Sequence, residues 1–101
     1  MKNIKIIPKL IKEAIEKGVN EIAVEYKDGF EEIFIVKSDL MIGIKSYEAD
    51  SENAINLRKE LYFLRKRKTL KIDNTKYNIK IIIFDSFGED AFRLLFERRI
   101  N

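Results

Sequence analysis

Residues 77–97 read YNIKIIIFDSFGEDAFRLLFE and contain the pattern that most strongly constrains the fold. The first half of this stretch alternates as a β-strand does, but apolar side chains occupy both faces of that strand. One face carries Tyr77, Ile79, Ile81 and Ile83, and the other carries Ile82 and Phe84. A strand that is apolar on both faces is either central and covered twice, or covered once and paired with another subunit.

The second half of this stretch is compatible with two structures. As a strand, residues 89–99 would place large apolar side chains on one face and Arg93 on the other. As a helix, they would present Phe92, Leu95 and Phe96 together, with acidic residues first and basic residues last, which suits the helix dipole. The preceding sequence Asp-Ser-Phe-Gly is typical of a hairpin turn. We therefore expect a strand, with the helix as the alternative.

Upstream, periodicity and turn residues indicate a helix followed by three strands. The helix covers about residues 8–17, because Pro8 suits a first helical turn and Gly18 is a natural helix end. The three strands lie around Ile22 and Val24, over residues 30–37, and around Leu40, Ile42 and Ile44. An Asp-Gly turn and a Ser-Asp break separate them.

A second helix and a short strand complete the pattern. Asp50 or Ser51 can cap this helix, and its apolar stripe comprises Ala54, Leu57, Leu61 and Leu64. Leu70 and Ile72 mark the strand. The resulting order αβββαβββ predicts an α+β fold, with two helices packed on a mainly antiparallel sheet of five to six strands. We expect one domain over residues 1–101. The repeated order also suggests internal duplication, with chance similarity as the alternative.

The absence of two residue types excludes several kinds of chemistry. The chain has no Cys and no His, which excludes disulfides, thiolate nucleophiles, zinc-thiolate sites and imidazole bases. The amino terminus lacks the apolar core of a signal peptide. No segment reaches the roughly 20 apolar residues that a membrane span requires. We expect a cytoplasmic protein that needs no cofactor.

A basic stretch is the strongest candidate binding feature. Residues 50–101 hold twelve Lys or Arg and eight Asp or Glu, whereas residues 1–49 hold eight and nine. The excess comes from Arg58, Lys59, Arg65, Lys66, Arg67, Lys68 and Lys71. On a helix, the first four would form a ridge beside the apolar stripe, and exposed Tyr62 or Phe63 could stack on a base. Such a ridge predicts binding of nucleic acid or another polyanion. The alternative is a well-solvated helix end, where cations also stabilise the dipole.

Carboxylates near the predicted hairpin turn are the strongest candidate catalytic groups, since no pattern marks any one lysine as a buried nucleophile. Asp85, Glu89 and Asp90 could hold a divalent ion and activate water. Acidic residues at a turn are, however, ordinary for local hydrogen bonding. The four glycines are too dispersed for a phosphate-binding loop. We therefore predict that the chain is not an enzyme, and a metal-dependent hydrolase is the remaining enzymatic alternative.

The number of apolar side chains is large for a chain of this length, which indicates contacts with another protein surface. Two helices cover only one face of a sheet. If Phe34, Val36, Ile82 and Phe84 lie on the other face, they form an exposed patch that a two-fold dimer would bury. The favoured function is a binding or regulatory module that acts through protein–protein contacts and self-associates as a homodimer, with polyanion binding through Arg58–Lys71 as the alternative.

Overall fold

Two α-helices and six β-strands form in the predicted order. The computed structural model describes residues 4–100. The elements are α1 (Ile6–Glu16), β1 (Glu21–Lys27), β2 (Phe30–Lys37), β3 (Leu40–Glu48), α2 (Glu52–Arg65), β4 (Thr69–Ile72), β5 (Thr75–Ser86) and β6 (Glu89–Arg98). The α+β fold is confirmed, and the ambiguous tail forms a strand rather than a helix.

All six strands belong to one antiparallel sheet. Its strand order is β3-β2-β1-β6-β5-β4, and every adjacent pair is antiparallel. The last strand therefore inserts in the centre, beside β1. The element order repeats, whereas the strand positions do not, because β1 is central and β4 lies at an edge.

Three hairpins close with turns whose two central residues both have positive φ. These residues are Asp28 (52°) and Gly29 (87°), Asp73 (48°) and Asn74 (69°), and Phe87 (54°) and Gly88 (86°). Such turns match the right-handed twist of the flanking strands, and they favour Gly, Asn and Asp. The turn residues identified in the sequence therefore set these three connections. Phe87 departs from the preference and is fully exposed at its hairpin tip.

Both helices pack on the same face of the sheet. Ser51 caps α2 by accepting a hydrogen bond from the Ala54 amide at 3.2 Å, and the predicted stripe of α2 is fully buried. The core joins this stripe to α1 and to alternate residues of the four inner strands, among them Ile7, Leu10, Ile22, Val24, Ile33, Ile79, Phe92 and Leu94. One layer of helices thus covers one side of one sheet.

A side chain from α2 caps α1. Among residues 4–100, no local side chain caps the start of α1. Instead Glu60, which is only 5% exposed, accepts hydrogen bonds from the Lys5, Ile6 and Ile7 amides at 2.8 to 3.1 Å. A carboxylate at a helix N-terminus satisfies free N–H groups and opposes the positive end of the dipole. Glu60 therefore fixes the two helices to each other.

Candidate functional site

The sheet face opposite the helices is apolar at its centre. The structure places Phe34, Val36, Ile82 and Phe84 there, as the sequence predicted. Phe34 and Val36 are half-buried, whereas Ile82 and Phe84 are 42% and 38% exposed. The described part of the chain provides no element that covers this face. We call it the uncovered face below.

A continuous row of side chains crosses the uncovered face. Five strands contribute, and cross-strand pairing gives the order Gly43, Phe34, Ala23, Arg93 and Ile82. A Cβ atom on Gly43 would lie 3.8 Å from the Phe34 ring, so the ring packs over the glycine. Ala23 is fully buried beneath its larger neighbours.

Arg93 lies in this row between Ala23 and Ile82. Its Nη1 donates to Glu21 Oε2 at 2.7 Å, and its Nη2 approaches Met41 Sδ at 3.7 Å. The Nε atom is buried and has no hydrogen-bond partner among the described residues. Arginine is enriched in the energetically important centres of protein interfaces, and here its apolar stem extends over the sheet.

Charges of opposite sign flank the apolar centre of the uncovered face. At one end, Lys71 pairs with Lys76, and the Arg99 amide donates to the Lys76 carbonyl at 2.9 Å. These three residues give a basic end. At the other end Glu25 pairs with Glu32. Like charges opposite each other in a sheet are unfavourable, so each end is suited to a partner of opposite charge.

The seven basic residues predicted to bind a polyanion do not share one surface. Arg58 donates to Glu31 at 2.6 Å and to the Ala49 carbonyl at 3.2 Å, and is therefore engaged within the molecule. Arg65 and Lys68 are exposed. Lys71 lies at the basic end of the uncovered face.

Three of the seven basic residues do lie together. Lys59, Lys66 and Arg67 surround Tyr62 and Phe63 in a shallow surface depression. The Arg67 guanidinium lies 4.7 Å from the centre of the Phe63 ring, which is a cation–π contact. We call these five residues the basic-aromatic cluster.

The carboxylates near the β5–β6 turn have separate partners. Asp85 accepts a hydrogen bond from the Gly88 amide at 3.4 Å, as is usual at a turn. Asp90 accepts a hydrogen bond from the Tyr62 hydroxyl, and this bond raises the pKa of Tyr62. Within residues 4–100, no three acidic groups converge on a point that could hold a metal ion.

A cleft opens between α2 and the hairpin end of the sheet. Its volume is about 420 Å³, and it is lined by Tyr26, Glu31, Ala49, Arg58, Tyr62, Gly88, Glu89 and Asp90. Glu31 lies at its base and is 3% exposed. Burial raises the pKa of Glu31, the neighbouring Glu89 raises it further, and Arg58 opposes both effects.

Comparison with protein families and with curated proteins found no match. Neither helix within residues 4–100 has the length and apolar character needed to cross a membrane.

Proposed function

We propose that this protein is a small, non-enzymatic cytoplasmic module that acts through protein–protein contacts and forms a homodimer through its uncovered face. The observation that carries the proposal is the row across five strands, apolar except for Arg93, which no element among residues 4–100 covers. Contiguous exposed apolar surface of this kind marks interaction sites in soluble proteins.

The uncovered face is large enough for a stable interface. The molecule measures 42 × 35 × 20 Å along its principal axes. A fold of two layers is thinnest across the layers, so the sheet extends along the two longer axes. A specific interface takes about 800 Å² from each partner, and a face of these dimensions supplies that area.

The distribution of charge favours a second copy as the partner. The basic end (Lys71, Lys76 and Arg99) and the acidic pair (Glu25 and Glu32) lie on opposite sides of the apolar centre. A two-fold axis that lies in the plane of the interface, perpendicular to the line joining these two sides, turns one copy end for end relative to the other. Each basic end then meets an acidic pair, which gives electrostatic complementarity.

The substitution Ile82→Lys tests this proposal. It places a charge in the centre of the interface, so we expect a monomer in analytical ultracentrifugation where the natural protein is a dimer. Ile15→Lys is the matched control, because Ile15 and Ile82 are both 42% exposed and Ile15 lies on a helix away from the uncovered face. A natural protein that stays monomeric at high concentration would contradict the proposal, as would equal effects of the two substitutions.

Polyanion binding is the second candidate function. The basic-aromatic cluster supports it, because three cations surround two aromatic rings at the surface. Cations bind phosphates and exposed rings stack on bases. This candidate involves Lys59, Lys66 and Arg67 rather than the whole set from Arg58 to Lys71.

A further inference from the structure

The cleft beside α2 has an excess of negative charge. Three carboxylates, those of Glu31, Glu89 and Asp90, share it with one guanidinium, that of Arg58. Arg58 is already held by Glu31 and by the Ala49 carbonyl. The cleft therefore contains more negatively charged groups than positively charged groups.

One carboxylate oxygen of Glu31 has no hydrogen-bond donor among the described residues. The Oε2 of Glu31 accepts from Arg58, but the Oε1 is buried and has no hydrogen-bond partner within residues 4–100. Buried carboxylate oxygens are normally paired, because an unpaired one has lost its water without compensation. An unpaired oxygen at the base of an acidic cleft is chemically suited to a positively charged group that enters from outside.

The walls of the cleft favour an organic cation. Tyr26 and Tyr62 both line it, and their rings are 40% and 42% exposed. Aromatic faces attract ammonium and guanidinium groups. The Tyr62 hydroxyl holds Asp90 on one wall, whereas Glu31 lies at the base. Carboxylates spread along walls suit an extended cation with several N–H donors better than a small spherical ion.

We propose that this cleft binds the ammonium or guanidinium group of an organic cation. The cation contacts Glu89 and Asp90 at the mouth, stacks against the tyrosine rings, and compensates the charge of Glu31 at the base. This site is separate from the uncovered face, and its occupation does not depend on dimer formation. The same chemistry is offered by a free polyamine and by a Lys or Arg side chain.

The probes are argininamide and spermidine, added at low ionic strength while NMR follows the amide and tyrosine ring signals. We expect saturable shifts at Tyr26, Glu31, Tyr62 and Glu89. Tighter binding of argininamide indicates a side chain as the natural ligand, and tighter binding of spermidine indicates a polyamine. Shifts that do not saturate with either probe overturn the proposal, as does a stronger response of the same signals to Mg²⁺ alone.

Two variants and a control make this test specific. Glu89→Gln and Asp90→Asn each remove one charge from the cleft, so we expect about tenfold weaker binding for each. Glu97→Gln is the matched control, since Glu97 is an exposed carboxylate on the same strand but away from the cleft. Circular dichroism verifies that each variant is folded. Affinity that is lowered equally by Glu97→Gln contradicts a specific site.

Discussion

At the scale of single residues, Glu31 and Arg58 form the most consequential pair. Glu31 is 3% exposed, and the Nη1 of Arg58 lies 2.6 Å from its carboxylate. Such a pair contributes little net stability compared with an apolar pair, because Glu31 has left water and Arg58, whose side chain is 30% exposed, has left it in part. Removing one partner lowers the free energy of unfolding, because the other charge stays buried without a partner.

We predict that Arg58→Met destabilises the fold more at pH 7 than at pH 4. The expected loss at pH 7 is about 1–3 kcal/mol, because the carboxylate at the base of the cleft is left without its charged partner. Burial raises the pKa of Glu31 above 4.5, and Arg58 opposes this rise. Without Arg58, the folded state therefore binds a proton at Glu31 more tightly than the unfolded state does.

The sign of the pH dependence follows from this difference. A group whose pKa is raised by folding contributes stability that is present below its ordinary value and lost as the pH rises through the raised value. The variant should thus regain stability as the pH falls toward 4, as measured by urea denaturation at each pH relative to the natural protein. Adding Glu31→Gln to Arg58→Met should abolish the pH dependence. Equal losses at both pH values would contradict this account of the pair.

At the scale of elements, Glu60 decides where α1 begins. We predict that Glu60→Ala lowers the free energy of unfolding by about 1–3 kcal/mol, because the amides of Lys5, Ile6 and Ile7 lose their acceptor. The helix also loses a favourable charge at its positive end. Thermal or urea denaturation measures the loss, and hydrogen exchange at Ile7 should accelerate.

Glu16→Ala is the control for this prediction. Glu16 is exposed at the other end of α1, where a negative charge is unfavourable to the dipole. Its removal should leave stability unchanged or slightly higher. If Glu16→Ala costs as much as Glu60→Ala, then helix propensity rather than capping accounts for the effect.

The elements themselves could be predicted from the sequence because their signals are local. The stripe of α2, the three hairpin turns and the alternation in β5 each depend on neighbouring residues. The role of Glu60 could not be predicted, because its partners lie 53 to 55 residues away. Glu31 did leave a signal, since it alternates with the buried residues Ile33 and Ile35 in β2. A carboxylate at a core-facing position requires a partner, but the identity of that partner depends on tertiary packing, because Arg58 lies 27 residues away.

In the molecule as a whole, the basic residues between Arg58 and Lys71 lie on different surfaces because the chain changes direction after α2. α2 ends at Arg65, and β4 then joins the edge of the sheet. Strand alternation places Lys71 on the uncovered face, since its neighbour Ile72 is buried in the core. The direction of a chain after a helix depends on tertiary packing, so the sequence could not show that the charges separate.

This division leads to a prediction for polyanion binding. If the basic-aromatic cluster is the site, Lys66→Glu and Arg67→Glu should each weaken binding of single-stranded RNA by about tenfold or more, because each contact with a phosphate becomes repulsive. The logarithm of affinity should fall with the logarithm of salt concentration with a slope of about −2 to −3, as expected for three phosphate contacts. Fluorescence anisotropy with a labelled strand measures both quantities.

Lys71→Glu is the control, because it makes the same change of charge on the other face of the molecule. Reversing Lys71 changes the net charge of the chain as much as reversing Lys66 does, so a nonspecific attraction responds equally to both. A localised site responds only to Lys66 and Arg67. Equal responses, or an affinity that does not change with salt, would exclude the cluster as the binding surface.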